Sequence, residues 1–181
     1  MKSMIEISKL ISLVLRHKPG ALGLTMDRHG WVNTEALIDK INNIQPFDMR
    51  ALEEIVDTDS KQRYSFNADK SCIRANQGHS IPVDLELQPQ KPPKRLWHGT
   101  ATRFSESIER QGLLPMQRQY VHLSDNPQTA LSVGKRHGMP VIYAVDAEAM
   151  DRSGHTFYRS DNGVWLTKAV PAQYLERTDH H

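Results

Sequence analysis

The sequence predicts an α+β protein of two lobes: a winged-helix lobe over residues 1–80 and a mixed α/β lobe over residues 94–181, joined by a linker over 81–93. Three observations predict it. Apolar residues recur at helical spacing in three separate stretches, and two strand-like runs around a turn follow them. Pro82, Pro89, Pro92 and Pro93 then fall in one stretch with little periodicity, which suits extended chain. Beyond it, short β-branched and aromatic runs are interspersed with capped helical ones.

Each element has its own local cause. Ser3 and Glu6 have capping-box spacing, and Ile7, Leu10, Ile11, Val14 and Leu15 line one face of a first helix that Pro19 and Gly20 stop. Arg16, His17 and Lys18 therefore crowd its last turn, where complementing the exposed carbonyls is reason enough for three cations. Arg28-His29-Gly30 makes a turn before Trp31-Val32. Asn33 or Thr34 caps a second helix with Ala36, Leu37, Ile38 and Ile41, and Asp48 starts a third with Met49, Leu52, Ile55 and Val56. Arg63–Phe66 and Ser71–Arg74 read as strands about Asn67–Lys70.

In the second lobe, Leu96-Trp97-His98-Gly99-Thr100 reads as a strand, followed by a helix around Phe104, Ile108 and Glu109 that Gly112 ends. Tyr120-Val121-His122-Leu123-Ser124 is a second strand. Asp125-Asn126-Pro127 starts a helix whose apolar side is Ala130, Leu131 and Val133, and Gly134–Gly138 closes it. Val141–Val145 is a buried strand, and Phe157-Tyr158 and Val164–Thr167 flank the turn Asp161-Asn162-Gly163.

With 38% hydrophobic residues the 181-residue chain can build a core, and the formal charge of +2 admits local basic surface without a strongly basic protein. Cys72 is alone, which excludes a disulfide framework and a thiolate zinc site and predicts a reduced, cytoplasmic protein. No apolar run is long enough to span a bilayer, so no membrane partner is expected. The chain is expected to act as a monomer.

The sequence lacks Gly-x-Gly-x-x-Gly, the P-loop pattern, Gly-x-Ser-x-Gly and His-Glu-x-x-His. That argues against a doubly wound dinucleotide fold, a P-loop enzyme, a serine hydrolase and a zincin, and no metal is expected. His and Arg remain, without an obvious carboxylate pair. His98 and His122 stand at strand ends beside Gly99, Thr100 and Ser124, where ligands are commonly held, although each imidazole alone could be a satisfied half-buried group. Arg16-His17, Arg74 and Arg136 lie beside chain-turning elements. Guanidinium forks match phosphate oxygens, and solvated surface charge is the competing reading.

Six blocks carry a resemblance: Leu15–Pro19, Cys72–Ser80, Trp97–Thr100, Tyr120–Ser124, Gly134–Gly138 and Asn162–Thr167. In order and over nearly the whole chain they resemble the RNA 2′-phosphotransferase family. The resemblance implies a winged-helix RNA-binding lobe followed by an NAD-binding lobe of the ADP-ribosyltransferase fold. It implies removal of an internal 2′-phosphate from tRNA-like RNA, typically at a splice junction, by transfer to NAD as co-substrate. Arg16, His17, Arg74 and Arg136 match the family's catalytic set. His98, Gly99, Thr100, His122, Leu123 and Ser124 match NAD-contacting positions, and Gln77, Gly78, His79 and Ser80 match a block associated with packing. One departure from wider ADP-ribosyltransferases stands at Val164, where many carry Glu. A phosphate monoester, with a second pKa of roughly 6, is already an anion at neutral pH and needs no base to become a nucleophile. The rival readings are an ADP-ribosyltransferase that caps nucleic-acid phosphate ends and a non-enzymatic winged-helix regulator.

Overall fold

Ser3 accepts a hydrogen bond from the Glu6 backbone, and the Glu6 carboxylate takes the Ser3 amide, so the expected capping box opens α1 (Met4–Arg16). A computed structural model describes residues 1–178 of the chain and shows an α+β protein. It divides into two compact units, Met1–Glu86 and the chain from Leu87 onward. No helix among the described residues is long and apolar enough to cross a membrane.

In the first unit, Ile7, Ile11, Val14 and Leu15 of α1 are fully buried, so the apolar stripe read from the sequence is the face that packs. His17 caps the helix, and a 3-10 turn at Pro19–Leu22 follows. Asn33 caps α2 (Thr34–Asn42) and Asp48 caps α3 (Met49–Thr58), each side chain accepting a backbone N–H three residues on. The hairpin is β2 (Tyr64–Phe66) with β3 (Cys72–Ala75), in the register Ser65 opposite Arg74. A strand the sequence did not announce, β1 (Val32–Asn33), pairs on the other side of β3 and gives a three-stranded sheet of order β1-β3-β2. Two residues are too few to carry an alternating pattern.

The front of the proline-rich stretch returns to this unit. Val83 and Leu85 are buried, the Asp84 amide donates to the Arg28 carbonyl, and the Asp84 carbonyl accepts from His29 Nδ1 at 2.8 Å. Residues 81–86, expected within the linker, thus lie along the first unit.

The second unit is built on β4 (Arg95–Ala101) and β6 (Pro140–Asp146), antiparallel with His98 opposite Tyr143, and β9 (Leu175–Thr178) extends this sheet. A second sheet has the order β5-β8-β7, from β5 (Val121–Leu123), β8 (Trp165–Thr167) and β7 (Tyr158–Arg159). Reciprocal backbone bonds of 2.8 Å between Trp97 and Ser124 stitch the sheets together beside both imidazoles. Gly112 ends α4 (Ser105–Gln111), and Asp146 caps the unforeseen α6 (Ala147–Arg152). Leu96, Tyr143, Met150 and Phe157 are the large fully buried side chains of this core.

Asn126 caps α5 (Pro127–Lys135), with Pro127 in the first turn as expected. Its most buried residues, however, are Ala130 and Gly134, while Leu131 and Val133 are only half-buried. The helix meets β4 through small residues. A Cβ on Gly99 would stand 1.6 Å from the Ala130 carbonyl oxygen, and one on Gly134 would stand 2.9 Å from that of Thr100. Close helix-to-strand approach, not a wide apolar stripe, decides which face turns inward.

Candidate functional site

In the first unit the end of α1, the middle of β3 and the turn after β3 converge. Arg16 is the last residue of α1 and Arg74 lies on β3, both half-buried. The Arg74 guanidinium carbon sits 4.4 Å from the centroid of the Trp31 ring, a cation–π contact that holds the fork against the ring. The Asp27 carboxylate accepts the His29 and Trp31 amides at 2.9 Å, which holds the turn presenting that ring. His17 Nδ1 is 2.8 Å from Ser80 Oγ, and the Ser80 amide donates to the Arg16 carbonyl at 3.0 Å. The chain reverses at Gly78, whose φ of 90° places its backbone under Arg16: a Cβ there would lie 3.1 Å from Arg16 Nε.

His79 completes this cluster and was expected only in a packing block. It is 2% exposed, and neither ring nitrogen has a hydrogen-bond partner among the described residues. Burial first, then the charges of Arg16, Arg74 and His17, push it down to about 4. It is therefore a neutral imidazole set among cations, so it adds no further repulsion. The linkage has a definite sign. Unfolding takes up a proton wherever the pH lies between about 4 and the ordinary 6.5, so the stability tied to neutral His79 is complete above that window and is lost as pH falls through it. Acidifying from pH 7 to 5 is expected to cost roughly 2 kcal/mol through this group. His98 acts in the same direction, so the measurement is the difference in pH slope of urea-unfolding free energy between wild type and His79→Asn. Parallel slopes would refute it.

In the second unit His98 and His122 are brought together as read: His98 Nδ1 donates to the His122 carbonyl at 2.9 Å. Burial, above all, lowers the His98 pKa, and the charges of His137 and Arg118 add to that. His98 is thus neutral, with its proton on Nδ1 and its Nε2 lone pair an acceptor. The Ser124 hydroxyl donates to the Asn126 carbonyl at 3.0 Å and accepts the Asn126 amide, and so shapes the entry to α5. Leu123 and Thr100 are buried, and Gly99 lies beneath α5. Arg136 is the exposed C-cap of α5. The sequence reading passed over Arg118, whose Nη1 donates to His122 Nδ1 at 3.0 Å. The only available signal was its spacing of four residues from His122.

Among the described residues no group of His, Cys, Asp or Glu could hold a metal ion. An open cleft of about 470 Å³ on the second unit, lined by Lys94, Arg95, Asp146, Glu148 and Tyr174 among others, contains none of the candidate catalytic or NAD-contacting residues.

Two clusters of guanidinium and imidazole, one in each unit, give a protein equipped to hold phosphate groups. Comparison with known proteins gives the class its family. The model described as "RNA 2'-phosphotransferase, Tpt1 / KptA family" matches residues 2–169, and the chain belongs to that family. A protein of Pseudomonas syringae pv. tomato named "Probable RNA 2'-phosphotransferase" is 51% identical over 174 residues, covering 95% of this chain and 93% of its own. Proteins of the same name from Hahella chejuensis and Nostoc punctiforme are 49% and 46% identical, over 98% and 96% of this chain and 96% and 97% of theirs.

Proposed function

We propose that the protein is an NAD-dependent RNA 2′-phosphotransferase, with its first unit a winged-helix RNA-binding lobe and its second an ADP-ribosyltransferase-like lobe that takes NAD. Family membership supports the reaction class. The observation that carries the site is the first cluster, where Arg16, His17 and Arg74, which the resemblance assigns to the catalytic set, gather around a neutral His79. In the proposal the second unit supplies Arg136, and His98, Gly99, Thr100, His122, Leu123 and Ser124 serve the dinucleotide.

The RNA 2′-phosphate attacks the anomeric carbon of the nicotinamide ribose, the glycosidic bond to nitrogen breaks, and neutral nicotinamide leaves with the bonding pair. The neighbouring ribose 2-hydroxyl then attacks phosphorus, the RNA 2′-oxygen departs and gains a proton, and ADP-ribose 1″,2″-cyclic phosphate is released. Guanidinium groups hold the phosphate against the sugar and neutralise the charge that develops in the second step; His17 moves the proton.

The deciding experiment incubates chelator-treated protein with NAD and a short RNA carrying one internal 2′-phosphate. Free nicotinamide, RNA with a 2′-hydroxyl and the cyclic phosphate are expected without added metal, because the Arg set already neutralises the phosphate. No nicotinamide release would overturn the reading. A stable ADP-ribosylated RNA as end product would move the activity to capping, and strict dependence on magnesium would refute the metal-free chemistry.

A further inference from the structure

The resemblance gives the block 77–80 no task beyond packing, yet Ser80 bonds two successive residues of the first cluster. Its amide donates to the Arg16 carbonyl at 3.0 Å, and its hydroxyl lies 2.8 Å from His17 Nδ1. His17 is the C-cap of α1, where helical backbone ends, and the group that meets its ring comes from 63 residues along the chain. The approach is close because Gly78, with φ of 90°, lets the chain pass under Arg16, where a Cβ would lie 3.1 Å from Arg16 Nε. His79 is buried between that glycine and the serine, so the backbone that carries the hydroxyl is fixed on both sides.

Which nitrogen of His17 bears the proton follows from what survives a proton cycle. A hydroxyl can accept from Nδ1–H in both the neutral and the protonated ring, but it can donate to Nδ1 only while the ring is neutral. An accepting Ser80 therefore keeps its contact unbroken while Nε2 loses and regains a proton. A donating Ser80 would have to turn over in every cycle.

We propose that Ser80 is a positioning residue for His17: its hydroxyl accepts from Nδ1–H, fixes that tautomer and the rotation of the ring, and so assigns proton exchange with the substrate to Nε2. The step it serves rests on the reaction proposed above. The ribose 2-hydroxyl oxygen bonds to phosphorus as the bond from phosphorus to the RNA 2′-oxygen breaks. Nε2–H gives its proton to the departing oxygen, and the proton released by the attacking hydroxyl restores the ring, so nothing else is consumed. A neutral ring with its proton on Nε2 instead could not take up the next one there.

The test uses the full chain with Ser80→Ala and Ser80→Thr. Both variants keep the amide bond to the Arg16 carbonyl, so only the side chain on the imidazole differs. NMR of the 15N-labelled protein, at a pH where the His17 ring is neutral and with His17→Asn to assign its signals, reads the tautomer without substrate. Wild type and Ser80→Thr are expected to show Nδ1–H, and Ser80→Ala to gain a major Nε2–H population. In a single turnover of RNA labelled in its 2′-phosphate, Ser80→Ala is expected to slow the second step about tenfold, the weight of one hydrogen bond, and to accumulate ADP-ribosylated RNA at unchanged KM for NAD. Ser80→Thr is expected to restore the rate. An Nε2–H ring in wild type, an unchanged tautomer in Ser80→Ala, or a second step in that variant as fast as in wild type would each overturn the proposal. A deficit in Ser80→Thr equal to that of Ser80→Ala would overturn it too, since the hydroxyl would then not matter. A tautomer that changes as expected in a protein that releases no nicotinamide would sink the activity and leave the hold of Ser80 on His17 standing.

Discussion

Arg74→Ala, given excess NAD and RNA labelled in its 2′-phosphate, is expected to accumulate ADP-ribosylated RNA that wild type consumes too fast to show. The expectation follows from where charge develops in the proposed reaction. In the first step the phosphate is the attacking anion and neutral nicotinamide leaves, so little new charge gathers at phosphorus. In the second step phosphorus itself is attacked and negative charge builds on its oxygens, where a guanidinium fork acts. Arg74 is suited to that task because its fork is held in advance. Trp31 stacks against it at 4.4 Å and β3 anchors its backbone between two strands, so little reorganisation accompanies the reaction. Loss of one such preorganised donor slows a step by about 10²- to 10³-fold, and the second step is expected to slow by at least about 10²-fold while the first changes less. Quantifying both RNA species over a single turnover decides it. A variant that is slow throughout and never displays the intermediate would show that Arg74 acts in substrate binding.

Local chemistry made most elements legible. Ser3, Asn33, Asp48 and Asn126 each cap a helix within a residue of the place their sequence context indicates, because a cap is decided by neighbours three residues away. The Asp161-Asn162-Gly163 turn is equally local: the Gly163 amide bonds back to the Ser160 carbonyl, with φ of 84° at the glycine. What escaped depends on distant partners. β1 and β9 exist through the strands beside them, at Ile73 and at Ile142–Val145, which no periodicity within two or four residues reveals. Val83 and Leu85 did carry an alternating signal, but the surrounding prolines hid it. Likewise the pairing of His98 with His122 could be read from two similar strand ends. His79 and Arg118 were harder to read: Arg16 and His17 reach His79 from far back in the chain, and Arg118 offered only its spacing from His122.

Gly99→Ala is expected to be the most damaging single substitution to the second unit. The resemblance places Gly99 at an NAD-contacting position, and an absent side chain could serve close approach of a ligand. The fold supplies a different constraint: an added Cβ would lie 1.6 Å from the Ala130 carbonyl oxygen and 2.5 Å from its carbon. Both atoms are helix backbone, so no rotamer change relieves the overlap, and α5 must move off β4 as a body. That movement would break the Gly134 contact with Thr100 as well. Overpacking a core typically costs about 1–3 kcal/mol, and with no side chain able to yield the expected loss is at least about 3 kcal/mol. It should appear as a lower urea midpoint at unchanged m-value. Gly20→Ala is the matched control, since nothing lies within 4 Å of its Cβ position, and it should be neutral within about 0.5 kcal/mol. In the proposed reaction Arg136 at the end of α5 contacts phosphate, so a shifted helix would impair that chemistry along with stability. Should Gly99→Ala instead unfold like wild type and lose only affinity for NAD, the glycine would be there for the ligand and the helix contact would be incidental.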